Sequence, residues 1–276
     1  MAIGIGIGIP FGRRRAGGGS TNTARTQAFL TATGITDQTI IDALNAMDTS
    51  LISAGLLPSG TGAGVIKAFY PIVGGTAATH KFNFVDPRDL DAAFRLTFGG
   101  GITHNSSGML FNGTNGYADT FWIPSVDGGG NNLGLCYYAG TYTDNGGIST
   151  GAGTATSDFK IYARLGGSFY WYVNNLTNTL VTNANPSGFI GIHREGTTIN
   201  CNIRGTTSSA TVAQTTIVNR SIFIGAANYS FVPGAAEYTN IPIKSYGIFS
   251  NGATAAFMES IRTIMNTLQT DLGRAN

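Results

Sequence analysis

At 276 residues with 42% hydrophobic side chains, the chain can bury a sizeable core, yet its 11% charged residues are less than half the ~25% usual for soluble domains. A net charge of +2, from 16 basic and 14 acidic residues, leaves no global basic field and speaks against nucleic acid as the main partner. Gly 40, with abundant Thr, Asn and Ser, favours short strands joined by tight turns over an ordinary cytosolic metabolic enzyme.

Residues 1–20 read as an arm and linker. Ile3, Ile5, Ile7 and Ile9 alternate with glycine, so period two places every isoleucine on one face of an extended strand. Such a strand can add to the edge of a partner's sheet; the bland alternative is an unstructured terminus. Pro10 ends it, Phe11 follows, and Arg13, Arg14 and Arg15 form the one dense basic run, either a solvated stretch or a contact for an acidic partner surface. Apolar-then-basic is the reverse of a secretory signal, and about ten residues are too few to span a bilayer, so neither export nor membrane insertion is expected.

Residues 21–66 read as a helical neck. Ile40, Leu44, Met47 and Leu51 fall on one stripe, which predicts a helix over 36–55 capped by Thr36, with Asp37 on its dipole and Gly55 as its stop. The stripe either packs on the chain's own domain or joins a bundle.

Residues 67–276 read as a sandwich with a closing helix. From Lys67 to Phe249 the pattern is β throughout. Phe159, Ile161 and Leu165 alternate with Lys160, Tyr162 and Arg164, and Gly166-Gly167 turns the chain into Phe169–Val173. A second hairpin joins 188–193 to 198–204 across Arg194-Glu195-Gly196-Thr197. This spacing predicts a mainly β two-sheet jelly-roll sandwich. Phe257, Ile261, Ile264, Leu268 and Leu272 then mark a helix over 254–272, stopped by Gly273. Cys201 shares parity with Ile199 and Ile203 and should point inward, Cys136 has the opposite parity to Leu135 and Tyr137, and a disulfide is not the default.

These residues bear on four chemistries. Glycoside hydrolysis needs two carboxylates about 5–9.5 Å apart. The glutamates are Glu195, Glu237 and Glu259, in a turn, a loop and the last helix, and Asp119 has no acidic neighbour two residues away. The knot Asp86-Pro87-Arg88-Asp89-Leu90-Asp91, with His80, Lys81, Arg95 and His104, could hold a histidine base. It reads better as a helix start capped by Asp86, with Arg88 and Arg95 pairing with Asp89 and Asp91. Asp127–Asn132 and Asp144–Gly147 offer oxygens to calcium, but Asp and Asn serve turns for their own reasons, and no metal site or cofactor is expected. For sugar stacking, Tyr137, Tyr138 and Tyr142 supply rings besides the strand 169–173. There Tyr170 and Tyr172 share one face and Phe169, Trp171 and Val173 the other. Tyr170, Trp171 and Tyr172 are the candidate glycan or interface residues.

The run Phe111–Pro124 (FNGTNGYADTFWIP) and the run Arg220–Ala226 resemble strand motifs of concanavalin A-like, laminin-G-type domains. FYPIVGGTAATHKFN, DPRDLDAAFRLTF and the closing LQTDLGR are similar to a lectin-like module of tailed-phage virion proteins. The resemblance covers about 35–274. It implies a jelly-roll sandwich used for attachment or surface decoration, without catalysis, in a fibre, collar or capsid decoration of the virion. It further implies other virion proteins as partners of the arm, a homo-oligomer with a trimer the first expectation, and a host-surface glycan as a second partner. The calcium-binding acids of the wider superfamily have no match in this sequence.

Overall fold

The computed structural model describes residues 21–61, 64–141, 147–165, 167–177, 179–182, 187–229 and 238–276. The expected docking residues Ile3, Ile5, Ile7, Ile9, Phe11, Arg13, Arg14 and Arg15 lie outside them, as do Tyr142, Asp144 and Glu237.

The chain enters through two helices, α1 (Ala24–Thr33) and α2 (Gln38–Ser53). Thr23 caps α1 by accepting from the Thr26 amide, and Gly34 ends it at φ 68. α2 lies two residues inside the expected 36–55 at each end, with its cap one residue later. Asp37, not Thr36, is the cap: its carboxylate accepts from the amides of Thr39 (2.8 Å) and Ile40 (3.2 Å). Strand β1 (Ile66–Tyr70), the short helix α3 (Ala77–His80), a 3-10 turn (Asp91–Ala93), β2 (Thr97–Gly99), β3 (Ile102–Asn105), β4 (Gly108–Phe111), β5 (Tyr117–Asp119) and a one-turn α4 (Pro124–Asp127) follow. Then come β6 (Gly134–Ala139), β7 (Ile148–Gly153), β8 (Asp158–Leu165), β9 (Ser168–Asn175), β10 (Thr179–Thr182), β11 (Gly188–Glu195), β12 (Thr198–Ile203), β13 (Thr206–Thr211), β14 (Phe223–Ile224), β15 (Ala227–Asn228) and β16 (Pro242–Phe249). Helix α5 (Ala255–Asp271), capped by Thr254 and followed by Gly273 at φ 64, closes the chain.

The fold is mainly β. One 8-stranded sheet, here sheet A, runs β13-β12-β11-β6-β16-β4-β3, with β1 on β16; sheet B, also 8-stranded, runs β10-β9-β8-β7-β14-β5-β2, with β15 on β7. The pairings are antiparallel except β15 with β7. The inner faces meet in a core holding Trp122, Tyr137, Phe159, Trp171, Ile192, Cys201, Tyr246 and Ile248. A second core lies on the outer side of sheet A, where Phe29, Leu44, Met47 and Leu51 of the first helices join Met258, Ile261, Met265 and Leu268 of α5 over Phe69, Cys136 and Phe249. The stripe of α2 therefore packs on its own domain. β6 is buried on both faces, because Leu135 and Tyr137 face sheet B while Cys136 and Tyr138 face the helices. That places the two free cysteines on opposite faces of sheet A, as their parities predicted.

Two local expectations are corrected. Asp86-Pro87 starts no helix: Asp86 accepts from the Arg88 side chain at 2.8 and 2.5 Å, and the helical turn begins only at Asp91 with no side-chain cap. Arg88 is thus taken by Asp86, while Arg95 pairs with Asp89 (3.2 Å) and Asp91 (2.9 Å). The β pattern between Lys67 and Phe249 is also interrupted by α3, the 3-10 turn and α4.

Candidate binding face

With the helices packed on sheet A, the outer face of sheet B is set by its own side chains. Register puts one residue from each of six strands into a single row: Tyr172 opposite Lys160, Lys160 opposite Gly151, Gly151 opposite Phe223, Phe223 opposite Asp119, and Asp119 opposite Thr97. A neighbouring row holds Leu180, Tyr170 and Tyr162. Period two explains the selection, since the alternating partners Phe159, Ile161, Trp171, Ile224 and Ala118 fill the inter-sheet core.

At the centre lies Lys160. Its Nζ is 4.8 Å from the ring centre of Tyr172, 5.0 Å from that of Tyr229 and 5.2 Å from that of Tyr162. It donates to the Tyr229 hydroxyl and sits 2.8 Å from Asp158 Oδ2. Lys160 and Asp158 are both buried, a cost that their pairing and the cation–π contacts offset. Burial raises the Asp158 pKa, and the hydrogen bond from Lys160 pulls it back. Burial also pushes Tyr172 up to about 12, helped by the Asp158 charge and by Tyr170.

The rings lie close because β7 offers no side chain beneath them. A Cβ on Gly151 would stand 2.3 Å from Lys160 Cβ, and one on Gly153 would stand 2.3 Å from both Asp158 Oδ1 and Tyr229 Cε1. Farther along the face, Tyr117 stacks on Phe223 with ring centres 4.6 Å apart and planes 13° from parallel. The result is a strip of ring faces and phenol groups around an internally neutralised ion pair, suited to stacking against a flat polyhydroxylated ligand.

Of the three sequence candidates, Tyr170 lies half-buried on this face and Tyr172 lies on it at 7% exposure. Trp171 is a correction: at 1% exposure it faces the inter-sheet core and presents no ring to a ligand. Lys160, Tyr162, Phe223, Tyr117 and Tyr229 were missed. Lys160 and Tyr162 were legible, because they alternate with Phe159 and Ile161; Tyr229 follows β15 and reaches the site only through the fold.

The histidine knot is a fixture. His80 Nδ1 and His104 Nδ1 are 3.0 Å apart, so one donates and the other accepts, and they cannot both be protonated there. Burial first, then His104 and Arg274, lowers His80 to about 3. Arg274 holds the closing segment to this stretch by donating to the carbonyls of Ile72 (2.8 Å), Pro71 (3.2 Å), Lys244 (3.1 Å) and Ser106 (3.2 Å). Asp127 of the Gly-rich loop accepts from the Ile123 amide at 2.7 Å, a turn role. Among the described residues no group of three His, Cys, Asp or Glu could hold a metal ion, and no described helix is long and apolar enough to cross a membrane.

The fold defines a class, a mainly β sandwich of two antiparallel sheets with helices packed on one of them. No protein-family model matches the sequence, and no curated protein matches it. Among solved structures, Trypanosoma rangeli sialidase in complex with 2,3-difluoro-KDN is similar at TM-score 0.54 and 13% identity, over 84% of this chain and 39% of the sialidase. A mutant of that sialidase displaying trans-sialidase activity gives TM-score 0.52 and 13% identity, over 86% and 39%. Domain 4 of AbnA, a GH43 extracellular arabinanase from Geobacillus stearothermophilus in complex with arabinotriose, gives 0.47 and 13%, over 72% and 98%. The chain thus matches well under half the length of the sialidases, and at 13% identity the likeness to them is one of fold.

Proposed function

We propose that this chain is a non-enzymatic structural protein of a phage virion, in a fibre, collar or capsid decoration, anchored by its N-terminal arm. Its lectin-like sandwich presents the outer face of sheet B to carbohydrate on the host surface. The observation that carries the binding role is the cross-strand row around Lys160. Lys160 and Asp158 are paired with each other and Asp119 accepts from the Phe121 amide at 2.8 Å, which suits contact rather than proton transfer. The virion placement is supported by the resemblance of the FYPIVGG, THKFN and LQTDLGR runs, and by an isoleucine–glycine arm suited to strand addition. Particles would hold the chain as a homo-oligomer, with a trimer the first expectation. A second reading, a free carbohydrate-binding adhesin, draws on the same aromatic face.

Mass spectrometry of purified particles separates the two: a fixed copy number supports the virion role, and absence from particles overturns it. Deleting residues 1–15 should abolish incorporation and leave the thermal midpoint of the domain unchanged. A glycan array run with and without calcium tests the face. Binding should be calcium-independent, and replacing Tyr170 and Tyr162 together by Ala should weaken it at least tenfold, since each stacked ring contributes about 1 kcal/mol. Absence of binding in both conditions would refute the carbohydrate role.

A further inference from the structure

We infer that residues 3–9 of one copy add as a strand to the outer edge of β13 in a second copy; this rests on the docking arm and homo-oligomer proposed above. Of the strands that end the two sheets, β13 with six residues is longer than β3 and β10 with four and β2 with three. Edge strands of monomers are guarded by charges, proline, bulges or a covering segment. β13 reads Thr206-Thr207-Ser208-Ser209-Ala210-Thr211, without charge or proline, and its register with β12 runs unbroken. Among the described residues β12 is the only strand it pairs with. Its core-facing side is incompletely covered. β9 lies across from β11 and β12, so β13 and β10, the next strands out, border the same side of the sandwich. There Ala210, opposite Ile199, and Val181, opposite Phe169, face the core yet are only half-buried, as is Ser208 on the same face as Ala210. The arm supplies what this edge lacks. Ile3, Ile5, Ile7 and Ile9 share one face of an extended strand about 23 Å long, against about 20 Å for β13. Set beside β13, the isoleucines cover Ala210 and Val181, the small side chains of Ser208 and Ala210 leave them room, and the bare glycine face turns outward. Residues 10–20 are chain enough to reach up to about 36 Å from Thr21, where the described chain begins ahead of α1. An arm folded onto its own sheet would anchor nothing, whereas one laid on a neighbour holds copies together.

The test is sedimentation of the full chain beside two variants: one lacking residues 1–9, and Ala210→Lys, which sets a charge on the core-facing side of the edge. Thermal melts confirm folding, with Ser208→Lys as a second edge variant. The unaltered chain should self-associate, and either change should weaken association at least tenfold. Mixing the arm-less chain with Ala210→Lys leaves one intact edge and one intact arm, and should yield one-to-one pairs that neither forms alone. Hydrogen exchange at 206–211 should be at least tenfold slower in those pairs than in the arm-less chain by itself. A monomeric full chain, a mixture that does not pair, or association untouched by the deletion or by both edge variants would overturn the exchange. The anchoring arm then stands if the deletion still abolishes incorporation into particles, and falls with it if incorporation persists.

Discussion

The inter-sheet core is apolar in bulk but is crossed by tyrosine hydroxyls. Tyr137 of sheet A donates to Ser149 Oγ at 3.0 Å, and Ser149 donates on to the Ile161 carbonyl at 3.0 Å. Tyr246 meets Thr150 Oγ1 at 2.6 Å, and Thr150 donates to the Phe223 carbonyl at 2.7 Å. Burial pushes both phenols well up, so they stay neutral donors at any working pH. Tyr137→Phe leaves its ring packed but removes one buried bond, and should cost about 1–2 kcal/mol, read as a lower urea midpoint with unchanged slope. The histidines set an acid limit. His80 is held at about 3 and His193 at about 4, both chiefly by burial, below the ~6.5 of the unfolded chain. The folded state binds fewer protons, so their contribution is complete above pH ~6.5 and is lost as pH falls through that range toward the folded values. Urea titrations should show stability dropping by about 2 kcal/mol per histidine between pH 7 and pH 5. A flat profile would contradict the burial of these rings.

At the level of elements, caps and glycines decide where structure starts and what it supports. Because Asp37 and not Thr36 accepts the first amides of α2, Asp37→Ala should cost about 1 kcal/mol, while Thr36→Ala should stay within about 0.5 kcal/mol. Thermal melts of the two variants decide between them. Strand β7 is shaped by what lies over it: Gly151 has φ 146 and no room for a Cβ beneath Lys160. Gly151→Ala should therefore destabilise the domain by about 1–3 kcal/mol and displace the Lys160 cage, visible as loss of glycan binding before loss of fold. Helix α1 shows why an element escapes pattern reading. It buries Arg25 in an ion pair with Asp48 of α2, with both side chains fully covered, so its inward face is partly charged and the apolar stripe that betrays a helix is short.

For the whole molecule, layering sets exposure. Three helices cover one sheet, and among the described residues none of them packs on the outer face of the other. The same layering hides both thiols, Cys136 against Met265 Sδ at 3.3 Å and Cys201 between the sheets. Neither should react with a soluble thiol reagent in the native state, and both should react on unfolding; a fast native reaction at either would show that its layer opens.

Alternation and turn residues determined the sandwich, the closing helix and the facing of the two cysteines, because a strand's period of two and a helix's stripe are local properties of the chain. The same local signal separated Tyr170 and Tyr172 from Phe169 and Val173, and it also held Lys160 and Tyr162 in the matching parity. Which of two alternating faces becomes core is a tertiary decision. It fell to the second sheet to bury Trp171 and to the helices to cover sheet A and leave sheet B. Asp86 and Arg88 satisfy each other at short range, where a cap was expected: the carboxylate takes the Arg88 guanidinium and, at 3.4 Å, the Arg88 amide, and no helix follows. The cage around Lys160 is the clearest case. Tyr162 and Tyr172 share the β8–β9 hairpin with it, but Tyr229, after β15, is 69 residues away, and only the folded sheet brings it to the same ammonium group.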